Sequence, residues 1–282
     1  MIFTDTELYE YIKEDLPYFD LTTSLQNSSN VQVSLEIYTR EEIVLSCIEE
    51  AARIAVLLGC QVKFCLKSKE KAQKGEILLC YEGEYEKVHK SYKLIQVLLE
   101  YSCKISTRAY EMKKLIDEVN PNCELLTTRK TIPFAKKFCI KAILAGGAMP
   151  HRLGLSETIL FFESHQVLYS TKEEFYNFLK QLSQTVSEKK IVVEAQSIEE
   201  SKELMTCGVD VLQLDKLSVE EITEIVEYKN SNFPSIKILA AGGINISNVK
   251  QFAQAGVNAI VTSSVYICGM ADLGIRMEKV KN

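Results

Sequence analysis

The stretch KIVVEAQSIEESKELMTCGVDVLQLDKLSVEEITEIVEYKNSNFPSIKILAAGGIN, residues 190–245, decides the fold. Short apolar runs at 190–195, 209–215 and 236–243 alternate with segments at 197–206 and 218–230 in which apolar residues recur every three or four positions. The short runs read as buried strands and the spacers as amphipathic helices, so the pattern predicts a parallel sheet with helices outside it. Each strand ends in a polar or small residue: Glu194, Asp215 and Gly242. An open doubly wound sheet gathers its ligand at one switch point, whereas functional groups at several strand ends suit the mouth of an α/β barrel.

The same alternation extends back to residue 123 and on to residue 264. Further strands are expected at 123–128, 158–162 and 258–264, and further helices at 134–144, 171–188 and 246–255. Before residue 110 the patterns are mixed. Residues 30–46 alternate like strand material, residues 47–59 read as a helix stopped by Gly59, and EILLCYEGEY (76–85) reads as a strand and turn. A long helical stretch at 87–119, broken near Ser102–Ser106, is expected to bridge two domains. The expected organisation is an N-terminal α+β, sandwich-like domain (1–110), an incomplete α/β barrel carrying the site (111–265), and a helical C-terminal segment (266–282) packed back on the first domain.

Composition narrows the function. With 46% hydrophobic and 25% charged residues, the chain can bury a sizeable core and is not a disordered or collagen-like sequence. No run of about 18 apolar residues predicts a membrane span, and the acidic start MIFTDTELYEYIKEDL does not read as a signal peptide. A net charge of −5 weighs against nucleic acid as a partner. The nine cysteines are scattered through apolar runs without a CxxC, which fits reduced thiols in a cytoplasmic protein. With only three histidines, a structural metal site is not expected.

The residues able to do chemistry fall near the predicted strand ends. In LLTTRKTIPF (125–134), Arg129 and Lys130 follow a strand, and Pro133 is placed to open a helix, an arrangement suited to carboxylate or phosphate. His151 and Arg152 follow the Gly146–Gly147 turn, and His165 follows another strand. Glu194 and Asp215 end successive strands, where they suit ribose hydroxyls, a magnesium ion or a developing cationic sugar. Gly242 and Gly243 stand between a strand and a helix, where backbone N–H groups can cradle phosphate, and Ser263 and Ser264 end the last strand. Cations facing two acids beside a glycine turn suit a phosphorylated sugar and an anionic acceptor. Neither a GxGxxG nor a Ser–His–acid grouping stands out.

DLTT (20–23), TTRKTIP (127–133), AGGAMPHRLGLSETIL (145–160), VEAQSIEES (193–201), VLQLDKLS (211–218) and AAGGINISNV (240–249) occur in the order seen in the nicotinate-nucleotide pyrophosphorylase, or quinolinate phosphoribosyltransferase, family. The chain resembles that family over nearly its whole length. PHRLGLSET, VLQLDK and AAGGIN are most similar to its ModD branch, associated with molybdenum transport. The resemblance implies type II phosphoribosyl transfer from phosphoribosyl pyrophosphate (PRPP) with Mg2+, by a homodimer or higher oligomer whose sites are completed by the neighbouring subunit. It implies anion-binding roles for Arg129, Lys130, His151 and Arg152, with Lys130 counted among the catalytic groups. Glu194 and Asp215 would face the ribose and hold Mg-PRPP. Gly242 and Gly243, with Ser263 and Ser264, would bind phosphate. Where quinolinate enzymes have a lysine in IKDNH, this chain has Phe162 in FFESH, and the arginine supplied by the partner falls on Lys93. Two softened charges imply an anionic, aromatic or heterocyclic acceptor other than quinolinate. Quinolinate transfer itself and non-catalytic binding of an oxyanion or metabolite are the alternatives.

Overall fold

The computed structural model describes residues 2–26 and 30–280 and divides into two compact units. Along the chain the elements begin with α1 (Asp5–Asp15), α2 (Leu21–Ser24), β1 (Gln32–Thr39), β2 (Ile43–Val44), α3 (Ile48–Leu57), β3 (Gln61–Cys65), β4 (Lys71–Ala72), β5 (Ile77–Glu84) and α4 (Tyr85–Asp117). There follow β6 (Glu124–Thr127), α5 (Lys136–Ala145), β7 (Met149–Pro150), β8 (Ile159–Phe161), α6 (Glu163–Gln166), α7 (Lys172–Thr185), β9 (Ile191–Ala195) and α8 (Ile198–Met205). The chain closes with β10 (Val211–Asp215), α9 (Val219–Asn232), β11 (Lys237–Ala241), α10 (Val249–Gln254), β12 (Ala259–Thr262) and β13 (Leu273–Lys279).

The first unit comprises residues 1–110, 132–146 and 268–282. Its main sheet has the order β13-β1-β5-β3 and is antiparallel. Val33, Leu35, Ile37 and Thr39 alternate inward along β1, as a half-buried strand requires. Val33, Leu35 and Ile37 share a core with Leu79 and Tyr81 of β5, Ile54 of α3 and Leu99 of α4. The sequence expectation differs from the structure here in several respects. Helix α4 is unbroken through Ser102–Ser106. Ser102 and Ser106 bond back to the Leu99 and Ser102 carbonyls of their own helix, and both also reach carbonyls at Ser46 or Val44, so their hydroxyls are satisfied without breaking the helix. The C-terminal segment is a strand, not a helix: Leu273–Lys279 pairs with β1 from Thr39 to Val33, supplying an edge that needs backbone partners more than a helical stripe.

Residues 132–146, expected within the barrel domain, belong to the first unit. Helix α5 starts at Lys136 rather than at Pro133, after Phe134 takes a left-handed φ of 62°. Its Phe138 ring stacks on Phe3 at 4.4 Å, and Lys141 pairs with Glu49 and Glu50 of α3. The helix ends against α4, where a Cβ at Gly146 would lie 2.3 Å from the Ser106 carbonyl oxygen, so only glycine fits.

The second unit, residues 111–131 and 147–267, holds a seven-stranded sheet of order β7-β6-β12-β11-β10-β9-β8, with every pair parallel. The first strand of this unit, β6, pairs with its last complete one, β12, so the strands run in ring order and the ring stays open between β7 and β8. Those two strands are joined by residues 151–158 without a helix, and lack the usual crossover. This is an incomplete α/β barrel. Its interior is packed by Leu126, Val211, Leu239, Ala241, Ala259 and Val261, which share one face at every second residue. Six of the nine cysteines are buried. No helix among the described residues is long and apolar enough to cross a membrane.

Candidate active site

A cavity of about 690 Å³ opens at the C-terminal ends of the barrel strands. Period-two alternation explains its floor. Val211, Gln213 and Asp215 project from one face of β10, and Gln213 is in register with Glu194 of β9 and Leu239 of β11. The polar residues therefore stand directly above the apolar interior layer.

Arg129, Lys130, His151 and Arg152 all line this cavity. The Thr128 hydroxyl accepts the Lys130 N–H at 3.1 Å, and His151 is placed by its own N–H bonding the Thr127 carbonyl at 2.9 Å. Tyr266 donates its phenol to the Thr127 hydroxyl at 2.8 Å, stiffening the end of β6. Burial and the neighbouring Arg152 both push the His151 pKa down, which keeps the imidazole neutral at pH 7. Burial and then Arg129 lower the Arg152 pKa as well.

Glu194 and Asp215, from the C-terminal ends of β9 and β10, line the same cavity. Burial, followed by repulsion from Asp215, pushes the Glu194 carboxyl above the usual range, against a hydrogen bond from Gln213 Nε2 at 3.0 Å. The two acids offer hard oxygen donors, the ligand type that Mg2+ takes. They do not form a self-sufficient metal site, since no group of three or more candidate ligands occurs among the described residues.

Gly242 and Gly243 have φ of 87° and 70°, and both line the cavity. At Gly242 any side chain would strike Lys216, whose N and Cγ lie 2.6 Å from the Cβ position. Lys216 is itself left-handed at φ 61°. Ser263 and Ser264 also line the cavity, and the Thr262 hydroxyl donates to the Ile244 carbonyl at 2.7 Å, tying the glycine turn to the end of β12.

Phe162 lines the cavity rather than the core, with the Arg152 guanidinium 5.7 Å from its ring centroid. Its neighbour Phe161 packs instead on Phe175 and Phe178. His165 stacks on Phe162 and accepts the Phe162 N–H at Nδ1, outside the cavity lining. Lys93 does not line this cavity: it is exposed on α4 beside Gln96. Sequence reasoning missed Gln213, whose place on the interior face of β10 was readable from the alternation that located Asp215.

Comparison with known proteins matches this geometry to a family. Residues 105–276 match the C-terminal domain model of quinolinate phosphoribosyl transferase, and residues 20–103 match its N-terminal domain model. The chain belongs to the quinolinate phosphoribosyltransferase family, a family of phosphoribosyltransferases and pyrophosphorylases. Within it the chain is 30% identical over 279 residues to a protein of Pasteurella multocida provisionally named pyrophosphorylase ModD, covering 99% of each. A protein of the same name from Escherichia coli O6:H1 is 31% identical over 279 residues, covering 99% of this chain and 98% of that one. The nicotinate-nucleotide pyrophosphorylase structure from Ehrlichia chaffeensis shares the fold, with a TM-score of 0.88 at 21% identity over 99% of this chain and 100% of that one.

Proposed function

We propose that the protein is a ModD-type phosphoribosyltransferase that moves phosphoribose from PRPP to an anionic aromatic or heterocyclic acceptor other than quinolinate. The observation that carries this reading is that one cavity is lined by cations, Arg129, Lys130 and Arg152, and by two carboxylates, Glu194 and Asp215, together with a left-handed glycine pair.

In this reading the acceptor attacks C1 of the ribose, the bond from C1 to the pyrophosphate oxygen breaks, and its electron pair leaves with pyrophosphate. Positive charge grows on the sugar, and Glu194 and Asp215 face it from a fixed position. Lys130 and Arg129 hold the departing pyrophosphate, while the 5-phosphate rests on the Gly242–Gly243 turn and the Ser263 and Ser264 hydroxyls. His151 and Arg152 hold the acceptor anion. Glu194 and Asp215 would hold Mg2+ together with PRPP, and the ion would supply charge neutralisation for the leaving group. A homodimer bringing Lys93 to its neighbour's site and a cytoplasmic location complete the proposal.

The acceptor class follows from Phe162. A lysine there could meet a carboxylate, but a phenyl ring cannot, and a carboxylate desolvated against it is penalised. Quinolinate turnover by the native protein and by Phe162→Lys tests this. The expected outcome is no working rate in the native protein and a gain in the variant. Native kcat of about 1 per second or more, ordinary for an enzyme on its own substrate, would refute it.

A further inference from the structure

We infer that Gln213 is a substrate-binding residue, and that its side-chain carbonyl accepts a hydrogen bond from a ribose hydroxyl of PRPP. The inference rests on the phosphoribosyl reading above and adds to it a residue that the resemblance does not assign.

Gln213 is 5% exposed, yet it lines the cavity. Its Nε2 is used, donating to Glu194 Oε2 at 3.0 Å. Its Oε1 is buried and finds no hydrogen-bond partner among the described residues. Buried acceptors are rarely left unpaired, because the desolvation is not recovered. An apolar residue would suit the layer beneath: Leu239, in register on β11, and Val211, two residues earlier on β10, are both hydrophobic. A glutamine there carries a cost that packing does not explain and that a donor group on a ligand would remove.

The donor is identified by the company Gln213 keeps. Carboxylates flank it, Glu194 across the strand pair and Asp215 two residues on, and both are acceptors when ionised. A row of acceptor oxygens calls for a ligand with more than one neutral donor on adjacent atoms, and it repels phosphate. A vicinal diol meets that description. One hydroxyl donates to a carboxylate and the next to Gln213 Oε1, whose amide is already oriented by its bond to Glu194.

The test needs no acceptor. Mg-PRPP is titrated into the native protein by calorimetry, and ribose 5-phosphate, 2-deoxyribose 5-phosphate and 3-deoxyribose 5-phosphate are then used to displace it. The series is repeated with Gln213→Met, which keeps the side-chain length, and with Gln213→Leu as a second apolar variant, each first checked for native-like melting. The native protein is expected to prefer ribose 5-phosphate over one deoxy sugar by about tenfold, the worth of one such hydrogen bond. Both variants should lose that preference while binding the same deoxy sugar as well as the native protein does. A variant that folds and keeps the full preference overturns the role of Gln213. Native protein that binds PRPP but does not distinguish the sugars overturns it also. Failure of native protein to bind PRPP at all defeats instead the phosphoribosyl reading, and the assignment falls with it.

Discussion

At the scale of single residues, the site is organised by conformations that most side chains avoid. Lys216 stands in left-handed space immediately after Asp215, and its Nζ lies 3.7 Å from Asp215 Oδ2. A lysine accepts that backbone at a cost of about 1–2 kcal/mol, and such strain collects at functional sites. Gly242 makes room for it, because no Cβ intervenes. The pair pack together: the glycine turn approaches the strand end closely, and Lys216 lines the same cavity as the turn proposed to hold phosphate. Gly242→Ala should therefore damage the site more than a glycine-to-alanine change in a loop. We expect PRPP affinity, measured by calorimetry, to fall at least about tenfold and stability to fall by about 1–3 kcal/mol. Unchanged affinity would show that the turn does not hold phosphate. Gln213 and Lys216 show where residue-level reading fell short. A polar residue inside a strand and a lysine after one look ordinary in sequence, and only register and φ reveal what they face.

At the scale of elements, the barrel was legible because one signal repeats. Strands β8 to β12 fall within the expected runs, each bounded by an amphipathic helix whose apolar stripe faces the sheet. Placing Glu194 and Asp215 at strand ends followed from that alone. The misread elements are those whose environment is set by distant sequence. The C-terminal strand exists because β1 offers it an edge more than 230 positions away, and no local pattern encodes that. Helix α4 tolerates its serines because carbonyls at 44 and 46 take their hydrogens. Helix α5 joins the first unit because Lys141 meets Glu50, whose side chain is only 8% exposed. Lys141→Met should thus cost about 3–5 kcal/mol by leaving Glu50 buried without its cation, read as a drop in urea midpoint. Pairing that change with Glu50→Leu should restore most of the loss. Glu49 adds a pH dependence: burial opposes ionisation, but hydrogen bonds from Ser68 and Lys141 hold its pKa at about 2 against an ordinary 4.5. The carboxyl is lowered in the fold, so its contribution is present above pH 4.5 and is lost as pH falls toward about 2. A native midpoint that does not decline over that window would contradict this assignment.

At the scale of the whole molecule, the family fixes the class of reaction. Lys93 and His165 are the expected residues that the cavity lining does not contain, and a second copy of the chain is the proposed source of Lys93. Co-expressing Lys93→Ala with Asp215→Asn tests this. If sites are shared, random pairing leaves one intact site in half of the dimers, so about a quarter of native activity should return from two inactive parents. Activity no greater than the parents' sum would mean that each chain works alone. The central claim is transfer of phosphoribose to an acceptor other than quinolinate. The most direct measurement is pyrophosphate release from Mg-PRPP by the native protein across a panel of aromatic and heterocyclic acids that includes quinolinate. We predict release with at least one member of the panel and none above background with quinolinate. Release with quinolinate alone, or with no member at all, would contradict the account.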